Sequence, residues 1–196
     1  MPELPDIVVY CEALESRILG TTLTRIRISS PFLVRSVDPP VDALHGQRVV
    51  SVSHIGKRIV LGCANHLFAV IHLMIAGRLR WRKPAAPIPK RNGVAAFDFE
   101  AGTVLFTEAS KKRRASLHVV RGSEALAEFD RGGADVFAID LEEFRARLTA
   151  ENHTLKRTLT DPRVFSGIGN AYSDEVLHAA KLSPLTWTTR LSSTET

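Results

Sequence analysis

Arg78-Leu79-Arg80-Trp81-Arg82 alternates a cation with an apolar side chain. Successive side chains of a strand point to opposite faces, so this pattern predicts a strand with one wet face and one buried face. Segments on either side read the same way. Leu23–Ile28 alternates, with Arg25 and Arg27 opposed to Ile26 and Ile28. Val49–Ser53, Arg58–Cys63 and Leu67–Leu73 come before the quoted run, and Val94–Phe99, Val104–Thr107 and Ser116–Val120 after it. Short apolar segments at this spacing, parted by Gly, Pro and Asn, predict an antiparallel sandwich.

The ends of the chain have a different texture. Residues 5–19 read as a helix, with Ile7, Cys11, Leu14 and Ile18 on one face. Pro5 suits its first turn and Gly20 the position just past its end. Residues 121–135, with Gly132-Gly133, read as a linker, and 140–149, 154–160 and 169–180 carry helical patterns. The fold class expected is α+β. Residues 1–120 form an antiparallel β-sandwich with a packed amino-terminal helix, 121–135 a linker, and 136–196 a helical domain. Ser192-Ser193-Thr194-Glu195 has the form of a capping box. It announces a helix that residues up to 196 do not contain, which reads as a chain cut short.

Composition narrows the function classes. A chain of 196 residues, 44% hydrophobic, can build real cores and is not a disordered segment. A net charge of +5 suits a polyanionic partner, and equally a basic enzyme with a small substrate. The two cysteines, Cys11 and Cys63, lie in apolar stretches and read as buried thiols; two cannot form a four-cysteine zinc site. The acidic start Met-Pro-Glu-Leu-Pro-Asp is neither a signal nor a transit peptide, and no apolar run reaches membrane-spanning length. A cytoplasmic, nucleoid-associated setting is expected by elimination.

Two segments carry chemistry. Loss of Met1 would leave Pro2 as a secondary amine. An α-amino group titrates near ~7.7–8.0, so a useful fraction is a neutral nucleophile. Glu3 beside it can donate or accept a proton. The alternative is an ordinary exposed terminus. Far downstream, Gly167-Ile168-Gly169-Asn170 precedes a helix. Glycines allow a close backbone approach, and the helix start offers N–H groups to a phosphate. Asn170 adds a donor and Lys156 a charge. The alternative is a glycine turn between packed helices. The seven histidines have no metal-ligand spacing, so His72 reads as an interior or near-site histidine.

Four stretches together resemble the formamidopyrimidine-DNA glycosylase / endonuclease VIII family. They are Met1-Pro2-Glu3-Leu4-Pro5-Asp6, Gly56-Lys57-Arg58, His72-Leu73 with Gly77-Arg78-Leu79, and Leu155–Asp161 leading to Gly167–Glu175. The last is similar to the family's helix–two-turns–helix motif, and Leu4 to its formamidopyrimidine branch. The resemblance implies a DNA glycosylase with AP lyase activity that needs no diffusible cofactor. Its partner would be double-stranded DNA containing a damaged, oxidised base or an abasic site, bound by a monomer. It implies Pro2 as nucleophile, Glu3 as proton donor and Lys57 at the lesion or its flanking phosphate. Lys156, Gly169 and Asn170 would hold the backbone. The active site would lie in the cleft between the two domains.

The chain departs from the family in three places. Met74 stands one position before the family's wedge methionine, which leaves Ile75 in the wedge position. The family's Asp-Pro-Arg-Arg-Phe-Gly loop is replaced by Glu108-Ala109-Ser110-Lys111-Lys112-Arg113-Arg114-Ala115. Lys111, Lys112, Arg113 and Arg114 can hold phosphates but cannot stack as the lost Phe would. The family's four-cysteine finger does not occur within residue 196, so a structural zinc would belong to a segment beyond it. These departures leave two other readings: a damaged-DNA-binding protein that does not cut, and a structural nucleic-acid protein sharing only the helix–two-turns–helix.

Overall fold

A computed structural model describes residues 1–192 and Glu195. Among them, no helix is long and apolar enough to cross a membrane. Contacts cluster into two compact units, Met1–Phe129 and Asp130–Thr196.

The first unit opens with helix α1 (Leu4–Ile18). Eight strands follow: β1 (Thr22–Ile28), β2 (Gln47–Ile55), β3 (Arg58–Cys63), β4 (Leu67–His72), β5 (Gly77–Arg82), β6 (Gly93–Phe99), β7 (Gly102–Glu108) and β8 (Ser116–Arg121). They form one antiparallel sheet in the order β5-β7-β6-β1-β2-β3-β4-β8. β1 and β2 meet only at Thr22↔Arg48 and Leu23↔Gln47. That short seam divides the sheet into two halves. Leu23, Phe97 and Phe106 from one half share a core with Ile59, Ile71 and Leu117 from the other. Ile7, Cys11, Leu14 and Ile18 of α1 join the same core. This is the sandwich with a packed helix that the patterning predicts. Burial pushes both thiols up to about 11, so Cys11 and Cys63 are inert.

Simple alternation fails in several strands, β1 and β7 among them. A bulge between Leu23 and Arg25 shifts the register of β1 against β6. Leu23 and Ile26 can then both face the core although three positions apart. β7 is buried along its whole length. Its outer face lies under Ala86 and Ile88, which pack on Ala96 and Leu105. Edge strand β5 lacks that cover, so Arg78 and Arg80 stay exposed as predicted.

The second unit holds α3 (Leu141–Thr149), α4 (Leu155–Thr160) and α5 (Asn170–Ala179). They enclose Leu148, Leu155, Leu159, Phe165, Ile168 and Leu177. Phe144 stacks on Phe165 at 4.7 Å between centroids. Asp140 caps α3 by accepting the Glu143 N–H at 2.8 Å. The stretch read as a linker, 121–135, carries short helix α2 (Ser123–Ala127) and strand β9 (Ala134–Asp135). β9 pairs in parallel with β10 (Phe165–Ser166) over two residues. Elements this short show no periodicity in sequence. Tyr172 is 38% exposed, because α5 buries the Ser173–Leu177 side. In the terminal capping box the Ser192 N–H and hydroxyl both donate to the Glu195 carboxylate, at 2.9 and 2.7 Å. Ser193 and Thr194 lie outside the described residues.

One ionic network ties the first half-sheet together. Arg27 on β1 donates to Asp98 on β6 at 2.6 and 2.9 Å and to the Ala86 carbonyl at 2.7 Å. Thr103 donates to the same carboxylate at 2.7 Å. Burial pushes the Asp98 carboxyl up, but the Arg27 and Thr103 bonds and the Arg27 and Arg25 charges outweigh it and hold it below its usual range. A lowered carboxyl contributes stability above its unfolded value, lost as pH falls through its folded value. Asp98→Asn is therefore expected to cost about 1.5–3 kcal/mol at neutral pH. In urea melts the gap between wild type and variant should close as pH drops below ~4. A gap that persists in acid would show that Asp98 acts through shape instead of charge.

Candidate active site and nucleic-acid interface

In the first unit, Pro2 is buried and Glu3 is 3% exposed. Glu3 is the N-cap of α1, and its N–H donates to the Asp6 carboxylate at 2.9 Å. Its carbonyl accepts the Ile7 N–H at 2.9 Å. The Pro2–Glu3 peptide is thus fixed to a helix whose other end is locked in the core. An ordinary terminus would fray.

Lys57 lies in the turn joining β2 to β3, after Gly56 at φ 55°. It is half-buried, and burial holds its amine below the ordinary lysine range. The Glu3 carboxylate pulls the other way, which places the two groups within electrostatic reach. Lys57 is therefore not a fully solvated side chain. Arg58 pairs directly across the sheet with His72 on β4. Burial first, then the charges of Arg58 and Lys57 and nearby His118, push His72 down to about 4. Its imidazole stays neutral at physiological pH. Arg58 also lies over the Phe129 ring, 5.7 Å from the centroid, and His118 meets that ring edge-on at 5.1 Å. Sequence reading passed over Arg58 and His118 as neighbours of the candidate site. Only their register across β3, β4 and β8 joins them to His72.

Two loops follow from adjoining strands. In the first, the Gly77 N–H donates to the Leu73 carbonyl at 2.8 Å. A Cβ on Gly77 would sit 2.2 Å from that carbonyl oxygen, so the turn requires glycine. Met74 is half-buried at φ 52°, and Ile75 is 63% exposed at the tip. In the second loop, Glu108 is buried, and its carboxylate accepts the Arg114 N–H at 2.8 Å and the Ala115 N–H at 3.2 and 3.3 Å. The loop therefore closes around a carboxylate, and Lys111, Lys112, Arg113 and Arg114 all project into solvent. Lys111 and Arg113 line a cleft of about 490 Å³ with Arg91, Asn92 and Ser110. Arg91 and the loop-forming role of Glu108 escape a sequence reading, since neither has a local signal.

In the second unit, Gly167 has φ 88° and Gly169 is the N-cap of α5, with Asn170 exposed at its first position. Lys156 on α4 donates to both carboxylate oxygens of Asp174, at 2.6 and 2.8 Å. That ion pair holds Lys156 against α5, one turn from Asn170. The three residues of the expected backbone clamp come together, with Asp174 as the acidic partner of Lys156.

The arrangement agrees with known proteins along the whole chain. Residues 1–115 match the model of the formamidopyrimidine-DNA glycosylase N-terminal domain, and 134–196 that of the formamidopyrimidine-DNA glycosylase H2TH domain. The chain is 28% identical over 195 residues to the formamidopyrimidine-DNA glycosylase of Mycoplasmopsis pulmonis, covering 98% of this chain and 70% of that protein. It is 30% identical over 190 residues to that of Desulforamulus reducens, covering 94% and 68%. The Lactococcus lactis Fpg in complex with an abasic site containing DNA shares the fold, with a TM-score of 0.88 at 23% identity over 98% of this chain and 73% of that one. The chain belongs to the formamidopyrimidine-DNA glycosylase family.

The Glu3–Lys57 coupling has a direct test. Glu3→Gln removes the charge that supports the lysine ammonium, so the Lys57 amine should fall further below its ordinary range. Carbon-13 NMR titration of the Lys57 ε-carbon would read the shift. An unchanged or raised midpoint would mean that the two groups are not coupled.

Proposed function

We propose that this protein removes damaged, oxidised bases from double-stranded DNA and then cleaves the strand at the resulting abasic site, with Pro2 as nucleophile. The observation carrying this reading is the buried Pro2–Glu3 pair, held by a capped helix within reach of Lys57.

Once Met1 is removed, Pro2 presents a secondary amine. A fraction of that amine is neutral at physiological pH and can act as the nucleophile. The amine attacks the sugar C1′, the glycosidic bond breaks, and the base departs with the bonding electrons and takes up a proton. Glu3 protonates the ring oxygen as the sugar opens. An iminium then joins Pro2 to C1′. Its positive nitrogen acidifies the C2′ proton, and loss of that proton expels the 3′ phosphate. A second elimination expels the 5′ phosphate. Lys57, with Lys111, Lys112, Arg113 and Arg114, would hold backbone phosphates, as would Lys156, Gly169 and Asn170 in the second unit. Met74 and Ile75 would fill the gap left by the extruded base, whose unstacking costs a few kcal/mol.

A second reading has one observation in its favour. The cationic loop 109–115 replaces an aromatic wedge, as a protein that only binds damaged DNA would permit. Borohydride decides between them. Added during turnover on lesion-bearing DNA, it should reduce the iminium and join protein to DNA at Pro2. Glu3→Gln should bind the same DNA and excise poorly. A cross-link mapped to Lys57 would overturn the nucleophile, and no cross-link would leave the binding reading standing.

A further inference from the structure

We propose that Phe32 is a stacking platform for an unstacked nucleobase of damaged DNA, supplying the aromatic face that loop 109–115 lacks. The inference rests on the base-excision reading above and adds a specificity residue to it.

Phe32 is 74% exposed on a 3-10 turn, Pro31–Leu33. A lone exposed aromatic is ordinary on a protein surface. This one is held rigidly on both sides. Before it, Ser29 and Ser30 N–H groups donate to the Val94 carbonyl at 3.0 and 3.3 Å, and the Ser29 hydroxyl to the Gly93 carbonyl at 2.9 Å. After it, Leu33 is buried in the sandwich core with Ala115. The next residues run beside β8: Val34 bridges Leu117 in parallel, the Arg35 N–H donates to the Leu117 carbonyl at 2.9 Å, and the Val119 N–H donates to Ser36 Oγ at 2.7 Å. Proline at the first turn position removes further freedom. The turn therefore presents its ring in one place while ordered backbone flanks it.

That place is chemically defined. The parallel bridge of Val34 to Leu117 sets the turn beside the start of β8, where loop 109–115, with its exposed Arg113 and Arg114, ends. Exposed Arg35 follows three residues after Phe32. The same end of the sandwich carries Ile75, since the Ala109 N–H donates to the Ala76 carbonyl at 3.3 Å. A rigid aromatic face among arginines fits a base joined to phosphates: the ring stacks and the cations take the backbone. Isoleucine can fill a gap in the duplex but has no π-face to offer the orphaned base.

The test compares duplexes with and without a stable abasic-site analogue, the opposite base being 2-aminopurine. Wild type should bind the abasic duplex more tightly and quench 2-aminopurine as it stacks. Phe32→Ala should lose about tenfold or more on the abasic duplex, with the quenching, and leave the undamaged duplex unchanged. Phe32→Trp should restore both, and its added indole emission should be quenched by DNA. Thermal melts should be unaltered, since the side chain is exposed. Phe32→Ala binding both duplexes like wild type, or weakening both equally, would overturn the proposal. If wild type does not prefer the abasic duplex, the base-excision reading fails on its own. Phe32→Trp with single-stranded oligothymidylate then decides the platform: quenching supports it, and unchanged emission removes it.

Discussion

The short pairing of β1 with β2 governs the first unit. Two residue pairs are too few to keep eight strands in one flat layer, and strand twist turns the halves apart at that seam. Only then can Leu23, Phe97 and Phe106 face Ile59, Ile71 and Leu117 across one core. α1 packs into the same core through Ile7, Leu14 and Ile18, which fixes where its first turn lies. Glu3 caps that turn, and Pro2 precedes it. The position of the candidate nucleophile is thus a consequence of sheet topology, transmitted along a rigid helix.

The electrostatics of the site follow from the same packing. Lys57 sits where β2 turns into β3, close enough to the end of α1 for Glu3 to act on it. Burial works against its charge, and the carboxylate works for it. His72 receives no such compensation: every charged group acting on it is cationic, so the ring remains neutral. A neutral imidazole amid Lys57 and Arg58 can accept or donate a hydrogen bond without adding to the charge of the cluster.

Much of this was legible in the chain. Each strand of the sandwich was read within one or two residues of its bounds, because short apolar runs parted by Gly, Pro and Asn mark strands whether or not they alternate. α1, α3, α4 and α5 were legible through apolar spacing and end signals. Pro2 and Glu3 were legible only because a distant glycine motif accompanied them. What escaped had no local signature. The bulge at Thr24 shows up only against the partner strand. α2 spans five residues, too few for a helical period. α5 turns its Ser173 side inward and leaves Tyr172 38% exposed, which residue type alone does not show. Glu108 organises its loop through backbone N–H groups six and seven residues on, a geometry that composition cannot reveal.

The pairing of Lys156 with Asp174 changes how the basic character of the second unit should be counted. A lysine that meets an anion from open solvent brings a full unit of charge and sheds its own hydration. Lys156 is already matched, at 2.6 Å, by a carboxylate that is itself half in water. Its ammonium has three donors, and Asp174 takes two of them, so a phosphate would meet the third with the carboxylate still beside it. Such a ligand would share the lysine with an anion already in place. The lysine therefore favours ligands able to arrive with a second contact, such as a backbone that also reaches the Asn170 end of α5, over isolated ions of the same charge.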